Sequence, residues 1–210
     1  MSKNALIVWG GWDGHTPKEC ADVFAPWLES RGYDVEVSNT LDTYTDRKTM
    51  MGLDLIVPMW TMGDISNEQA SGLLDAIAAG VGIAGFHGGM CDSFRQHTNY
   101  QWMTGGQWVA HPGGCIPSYD VTITNSDHEI TGGIEDFTMT DTEQYYLHVD
   151  PSNNVLATTT FENGCVMPAV WTRMWGEGRV FYASFGHTYK DFDVPEALEI
   201  VQRGMLWASR

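Results

Sequence analysis

Four of the seven histidines in this 210-residue chain stand beside glycine or proline: His15 after Gly14, His87 in Phe86-His87-Gly88-Gly89, His111 in His111-Pro112-Gly113-Gly114, and His187 after Gly186. An imidazole near neutral pH moves protons or holds a divalent metal. The His87 context is the most specific. Small residues flanking one functional side chain at a strand-to-helix corner are what a nucleophile elbow needs, because the tight turn leaves no room for neighbouring Cβ atoms. Histidine is an uncommon nucleophile, so the chemistry open to His87 is acid–base transfer or metal ligation. A Gly-rich turn holding a hydrogen-bonded histidine fits the spacing as well.

A carboxylate partner is at hand in Thr142-Glu143-Gln144-Tyr145-Tyr146-Leu147-His148-Val149-Asp150. Glu143 can orient a histidine or form the second half of an acid–base pair. A solvated Glu143 on an edge strand, with packed tyrosines, is the alternative. No histidine pair has the HExxH spacing, so a local zinc motif is absent. A metal site assembled from distant loops would draw on His15, His87, His111, His187 and Glu143, and zinc is the ion these ligands suit best.

The elements that must position these groups are legible in the first half. Ala5 to Trp9 is an apolar run ending in Gly10-Gly11, as expected for a strand buried on both faces. Pro17 opens a helix with Ala21, Phe24, Ala25 and Leu28 on one face, closed by Gly32. Tyr33–Val37 and Leu53–Val57 read as strands. Ser66 and Gln69 form a capping box before a helix carrying Leu73, Leu74 and Ile77, and Val81–Phe86 is the fourth strand. This alternation implies a parallel sheet covered on both faces. Ligands then bind outside the carboxyl ends of the strands, where the loops at His15, at Trp60-Thr61-Met62-Gly63 and at His87 fall.

The second half is less regular. Residues 97 to 118 are rich in Gly, Trp, His and Pro. Tyr119–Thr124, Val155–Phe161 and Ala169–Arg173 read as strands, and Gly176-Glu177-Gly178 turns into Val180–Ala183, giving a C-terminal β-hairpin. Pro195 starts a closing helix through Leu206. No linker or repeat interrupts the chain, so one domain over 1–210 is expected.

Composition narrows the partners. Hydrophobic residues make up 43% and charged residues 18%, which suits a globular core. The formal charge of −16, with no basic run, argues against nucleic acid and anionic membranes. The four cysteines show no CxxC spacing, and Met1-Ser2-Lys3-Asn4 runs straight into the first strand. Reduced thiols in a cytoplasmic protein are therefore expected. Nine tryptophans supply aromatic faces of the kind that line sugar sites.

Along nearly its whole length the chain resembles the ThuA-like (trehalose-utilisation) family. The likeness rests on Gly10-Gly11-Trp12 with His15, and on Phe86-His87-Gly88-Gly89-Met90 with Asp92 and Phe94-Arg95. It continues in Met103–Trp108 with Ala110–Gly113, Glu143–Tyr146 with His148–Pro151, Met167-Pro168 with Val170-Trp171, and Gly178–Tyr182 with Gly186-His187. The resemblance implies a flavodoxin-like, doubly wound α/β fold similar to class I glutamine amidotransferases, with a mostly parallel sheet. It also implies a role in disaccharide or 3-keto-sugar catabolism. The site residues it implies are His15, His87, Gln107, His111, Glu143, Tyr145 and His187. Amidotransferases carry cysteine at the elbow; this chain carries His87, and Cys91 lies four residues on, so a glutaminase mechanism is not expected.

Three functions follow. In the first, an enzyme acts on a disaccharide or keto-sugar, with His87 and Glu143 transferring protons, His111 and His187 positioning substrate, and Trp12 or Trp108 stacking on the ring. In the second, the same pocket holds a divalent metal. In the third, the chain is a non-catalytic sugar-binding partner of an oxidoreductase. The expected ligand in each is a small sugar or keto-sugar, and homo-oligomerisation is left open. No GxGxxG follows the first strand, which disfavours a tightly held nicotinamide.

Overall fold

The computed structural model describes residues 2–210. Its first half follows the strand–helix alternation of the sequence. β1 (Lys3–Gly11) leads through a short turn into α1 (Pro17–Ser30), β2 (Tyr33–Ser38), α2 (Arg47–Met51), β3 (Leu55–Thr61), α3 (Asn67–Ala78) and β4 (Gly82–Phe86). The box ahead of α3 closes as expected: Ser66 Oγ accepts from Gln69 N, and Gln69 Oε1 accepts from Ser66 N. Two short helices follow, α4 (Gly88–Cys91) and α5 (Thr98–Thr104). The remaining elements are β5 (Gly106–Ala110), β6 (Cys115–Ile123), β7 (Phe137–Glu143), β8 (Tyr146–Val149), β9 (Asn154–Thr160), β10 (Val166–Trp175), β11 (Gly178–Ala183) and α6 (Pro195–Ala208).

Nine strands form one sheet in the order β2-β1-β3-β4-β11-β10-β9-β6-β7, while β5 and β8 pair separately. The strands from β2 to β11 run parallel, and antiparallel pairing takes over from β10 outward. The β10–β11 hairpin expected at Gly176-Glu177 is present, and it lies inside the sheet, with β11 parallel to the elbow strand β4. β7 and the β5–β8 pair were not legible, because Phe137–Glu143 mixes polar and apolar residues and the β5–β8 partners are some forty residues apart in sequence.

Alternation along the strands splits the core in two. Ala5, Ile7, Leu55, Val57, Ala84 and Phe86 face α1 and α6, packing on Phe24, Leu28, Ile200 and Val201. Leu6, Val8, Ile56 and Ile83 face α3, packing on Leu73, Ala76 and Ile77. Burial of Ala5–Val8 in β1 and Leu55–Met59 in β3 on both faces is what a central parallel strand demands. Among the described residues no helix is long and apolar enough to cross a membrane.

Candidate active site

The carboxyl ends of the parallel strands deliver three histidines to one spot. β1 ends in the turn that carries His15, β4 ends at His87, and the segment after β11 carries His187. His87 sits at φ 47° and ψ −138°, a conformation that costs energy for any residue with a Cβ. Its N–H donates to the Ala183 carbonyl at 2.7 Å, which locks the corner to β11. The glycines around it are required by contact. A Cβ on Gly88 would stand 2.5 Å from His15 Cε1, and one on Gly89 would stand 3.0 Å from Met59 Cα.

All three histidines converge on Glu143, at the end of β7. Its Oε2 lies 3.2 Å from His87 Nε2, 3.4 Å from His187 Nδ1 and 3.9 Å from His15 Nε2. His111 approaches the other oxygen, Oε1, at 3.7 Å through Nδ1. Glu143 is only 6% exposed, which removes the solvated edge-strand reading. Tyr145 stacks on the His87 ring at 3.8 Å and completes the floor.

Hydrogen bonding fixes which nitrogens face inward. His87 Nδ1 is 2.9 Å from the Ser184 carbonyl, an obligatory acceptor, so Nδ1 carries the hydrogen. In the neutral ring Nε2 then turns a lone pair toward the Glu143 carboxylate. Two acceptors face each other there, and a proton or a cation must lie between them. His15 Nδ1 is likewise engaged, with Thr61 Oγ1 at 2.8 Å, leaving Nε2 for the carboxylate side. Burial, reinforced by the neighbouring His87 and His187, pushes the His15 pKa from 6.5 down to about 2, so this ring is neutral at physiological pH. Burial opposes ionisation of Glu143, but the closely facing His187 and His87 imidazoles outweigh it and hold its pKa below the usual carboxylate range.

One residue outside these elements ties the centre together. Asp191 Oδ2 accepts from Thr142 Oγ1 at 2.7 Å, from Gly186 N at 3.1 Å and from His187 N at 2.9 Å. Buried itself, it clamps the neighbour of Glu143 to the backbone of His187.

The centre opens into a cleft of about 230 Å³, lined by Trp12, His15, Met62, Asp92, Arg95, Trp108, His111, Glu143 and Tyr145. That is the liquid volume of roughly eight waters, enough for one small ring. A larger trough of about 980 Å³ runs along β6 but contains no histidine. His87 and His187 stand behind Glu143 and do not line the cleft. Gln107 is half-buried on β5 opposite His148 and does not reach it either. Asp92 and Arg95 belong to it and were missed as site residues: an Asp and an Arg three apart on a short segment look like a surface ion pair. Asp191 gave no sequence signal, because Thr142 is 49 residues away.

The donor set fits a divalent metal. One ligand atom from each of His15, His87, Glu143 and His187 lies within 4.8 Å of the others. Tetrahedral ligands about 2.0–2.1 Å from zinc stand about 3.3 Å apart, close to the two shorter separations from Glu143. The Ser184 and Thr61 contacts hold the outer nitrogens of His87 and His15 as such ligands require. His187 Nδ1 is also a buried atom with no hydrogen-bond partner, as are His111 Nδ1 and Trp108 Nε1 at the same cleft.

The family model for trehalose utilisation, ThuA, matches residues 4–208. Among solved structures, a ThuA-like protein of Bacteroides uniformis aligns with a TM-score of 0.83 at 15% identity, over 98% of this chain and 91% of that one. A ThuA-like protein of Parabacteroides merdae aligns with a TM-score of 0.78 at 16% identity, over 99% and 90%. A Thermoplasma acidophilum protein named for GMP synthase aligns with a TM-score of 0.52 at 14% identity, over 99% and 96%. At these identities the likeness is one of fold. Comparison with curated proteins gave no sequence match.

Proposed function

The chain belongs to the ThuA family of trehalose utilisation, and on that premise we propose that it is an enzyme of carbohydrate catabolism that acts on a disaccharide or 3-keto-sugar with a divalent metal held by His15, His87, His187 and Glu143. The observation that carries this reading is the convergence of three imidazole nitrogens on one buried carboxylate oxygen, with no lysine or arginine among them. When bound, a divalent ion there supplies Lewis-acid polarisation of a sugar carbonyl or hydroxyl oxygen.

The chain's own residues do the rest. His111 lines the cleft with a partly exposed ring whose buried Nδ1 faces Glu143 Oε1, and this ring is the group that takes or returns a proton at substrate. A proton alpha to a keto-sugar carbonyl is acidic enough for a base of this kind. Glu143 faces His111 with one oxygen and the other three histidines with the other. Trp12 and Trp108 offer faces for a sugar ring.

A metal-free reading is favoured by one contact, the 3.2 Å approach of His87 Nε2 to Glu143, which a shared proton would also satisfy. In it, the pair relays protons while His111 positions substrate and His187 supports the carboxylate from behind. Elemental analysis and a 3-keto-sugar assay, run before and after chelation, separate the two. Near-stoichiometric metal and loss of at least about 10²-fold in turnover on chelation are expected for a catalytic ion. Full turnover by metal-free protein overturns the metal, and no turnover of any keto-sugar overturns the enzyme.

A further inference from the structure

One side of the cleft is built on an ion pair instead of histidine. Asp92 is 2% exposed, and Arg95 engages both of its oxygens: Nε donates to Oδ1 at 2.6 Å and Nη2 to Oδ2 at 3.0 Å. The guanidinium carbon lies 4.4 Å from the centroid of the Trp108 ring. The backbone on either side is pinned. Met62 N donates to the Asp92 carbonyl, Phe94 N donates to the Met62 carbonyl, and the Gln101 amide donates to the Arg95 carbonyl. Phe94, between the pair, is held at φ 49°.

A surface ion pair needs none of this. Burying a carboxylate costs energy unless its partner is fixed, and what Asp92 fixes is the plane and direction of the guanidinium. Of the five N–H groups on Arg95, Asp92 takes two, and the other three are left for solvent or a ligand at the cleft. Trp108 Nε1, in the same wall, is a buried donor without a partner. Among the described residues Arg95 is the only lysine or arginine lining the cleft, and Asp92 already meets its charge, so no spare cation side chain is set to recruit a phosphate or carboxylate.

We propose that Arg95 is the residue of this cleft that reads substrate: its free N–H edge, held by Asp92 and Trp108, donates to an oxygen of an uncharged sugar ring. The assignment rests on the sugar-processing reading above. It makes Arg95 a binding and specificity residue, distinct from the histidine–carboxylate centre.

Isothermal titration with glucose, its monodeoxy analogues and trehalose tests it, with glucuronate and glucose 6-phosphate as charged counterparts. Arg95→Gln is expected to weaken binding of the neutral sugar about 10- to 100-fold, the scale of a lost hydrogen bond to a charged group. Zinc affinity should not change, and in turnover the loss should fall on KM more than on kcat. One deoxy analogue should bind the wild type weakly and be indifferent to Arg95→Gln. Because that variant strands Asp92, the double variant Asp92→Asn/Arg95→Gln supplies a neutral pair, and its unfolding midpoint shows whether the wall still folds. Unchanged sugar affinity in both variants overturns the proposal. So does tighter binding of glucuronate or glucose 6-phosphate than of glucose, or an equal loss of zinc. If no sugar binds the wild type, the sugar reading falls and takes this assignment with it.

Discussion

The two halves of the large sheet contribute different things to the centre. The parallel half, β2 to β11, supplies His15, His87 and His187 from the carboxyl ends of its strands, a common edge fixed by parallel topology. The antiparallel extension, β10 to β7, supplies the single carboxylate on which they converge, and the β5–β8 pair with its flanking residues brings Trp108, His111 and Tyr145 to it. Histidines without Glu143 would be three rings at a sheet edge with no common acceptor. Glu143 without them would be a buried charge with no partner. The chemistry belongs to the seam, and Asp191 is the clamp that holds the seam closed.

Breaking the seam at its centre should have the largest effect. Glu143→Gln is expected to lower turnover about 10³-fold, the range for losing a group that acts in proton transfer or at the reacting centre. Retained turnover would mean that the halves do not share a site. Asp191→Ala comes next. Stranding three donors should cost roughly 3 kcal/mol in denaturant unfolding, and misplacing His187 should lower kcat about 10²-fold. A stability loss with kcat intact would reduce Asp191 to a packing role.

Within the parallel half the expected effects are smaller. Gly88→Ala pushes a Cβ against the His15 ring and should weaken zinc binding about 10-fold or more without removing any ligand, in line with disturbed metal-site support. Zinc titration with a chromophoric competitor measures it, and unchanged affinity would exclude His15 from the centre. At the elbow itself, His87→Gly should be more stable than His87→Ala by about 1 kcal/mol, because glycine tolerates positive φ. Equal midpoints would show that the corner relaxes. Trp12→Ala, at a residue 46% exposed, should raise KM a few-fold and leave stability within about 0.5 kcal/mol.

How far these features could be read in advance depends on how local they are. The elbow at Gly85-Phe86-His87-Gly88-Gly89 was legible because its requirement, small residues around one side chain, is met by neighbours in the chain. The four loop histidines and Glu143 were legible as a set of types. Their mutual geometry was not, and neither was the retreat of His87 and His187 behind the carboxylate, nor the absence of Gln107 from the cleft. Asp92 and Arg95 stood in recognisable motifs, but nothing in their spacing told a buried, directed guanidinium from a solvated pair.

The sequence by itself determined the strand–helix alternation of the first half, the capping of α3, the corner at His87 and the residue types available for chemistry. Those depend on periodicity, on turn sterics and on contacts within a few residues. Only the tertiary structure decided that residues 15, 87, 143 and 187 meet, that Nε2 of His87 faces Glu143 with Nδ1 turned away, and that Asp191 joins the two halves. The reason is physical: each of those facts depends on which strands lie side by side. That order is set by burying two core faces over the whole chain, and no single segment encodes it.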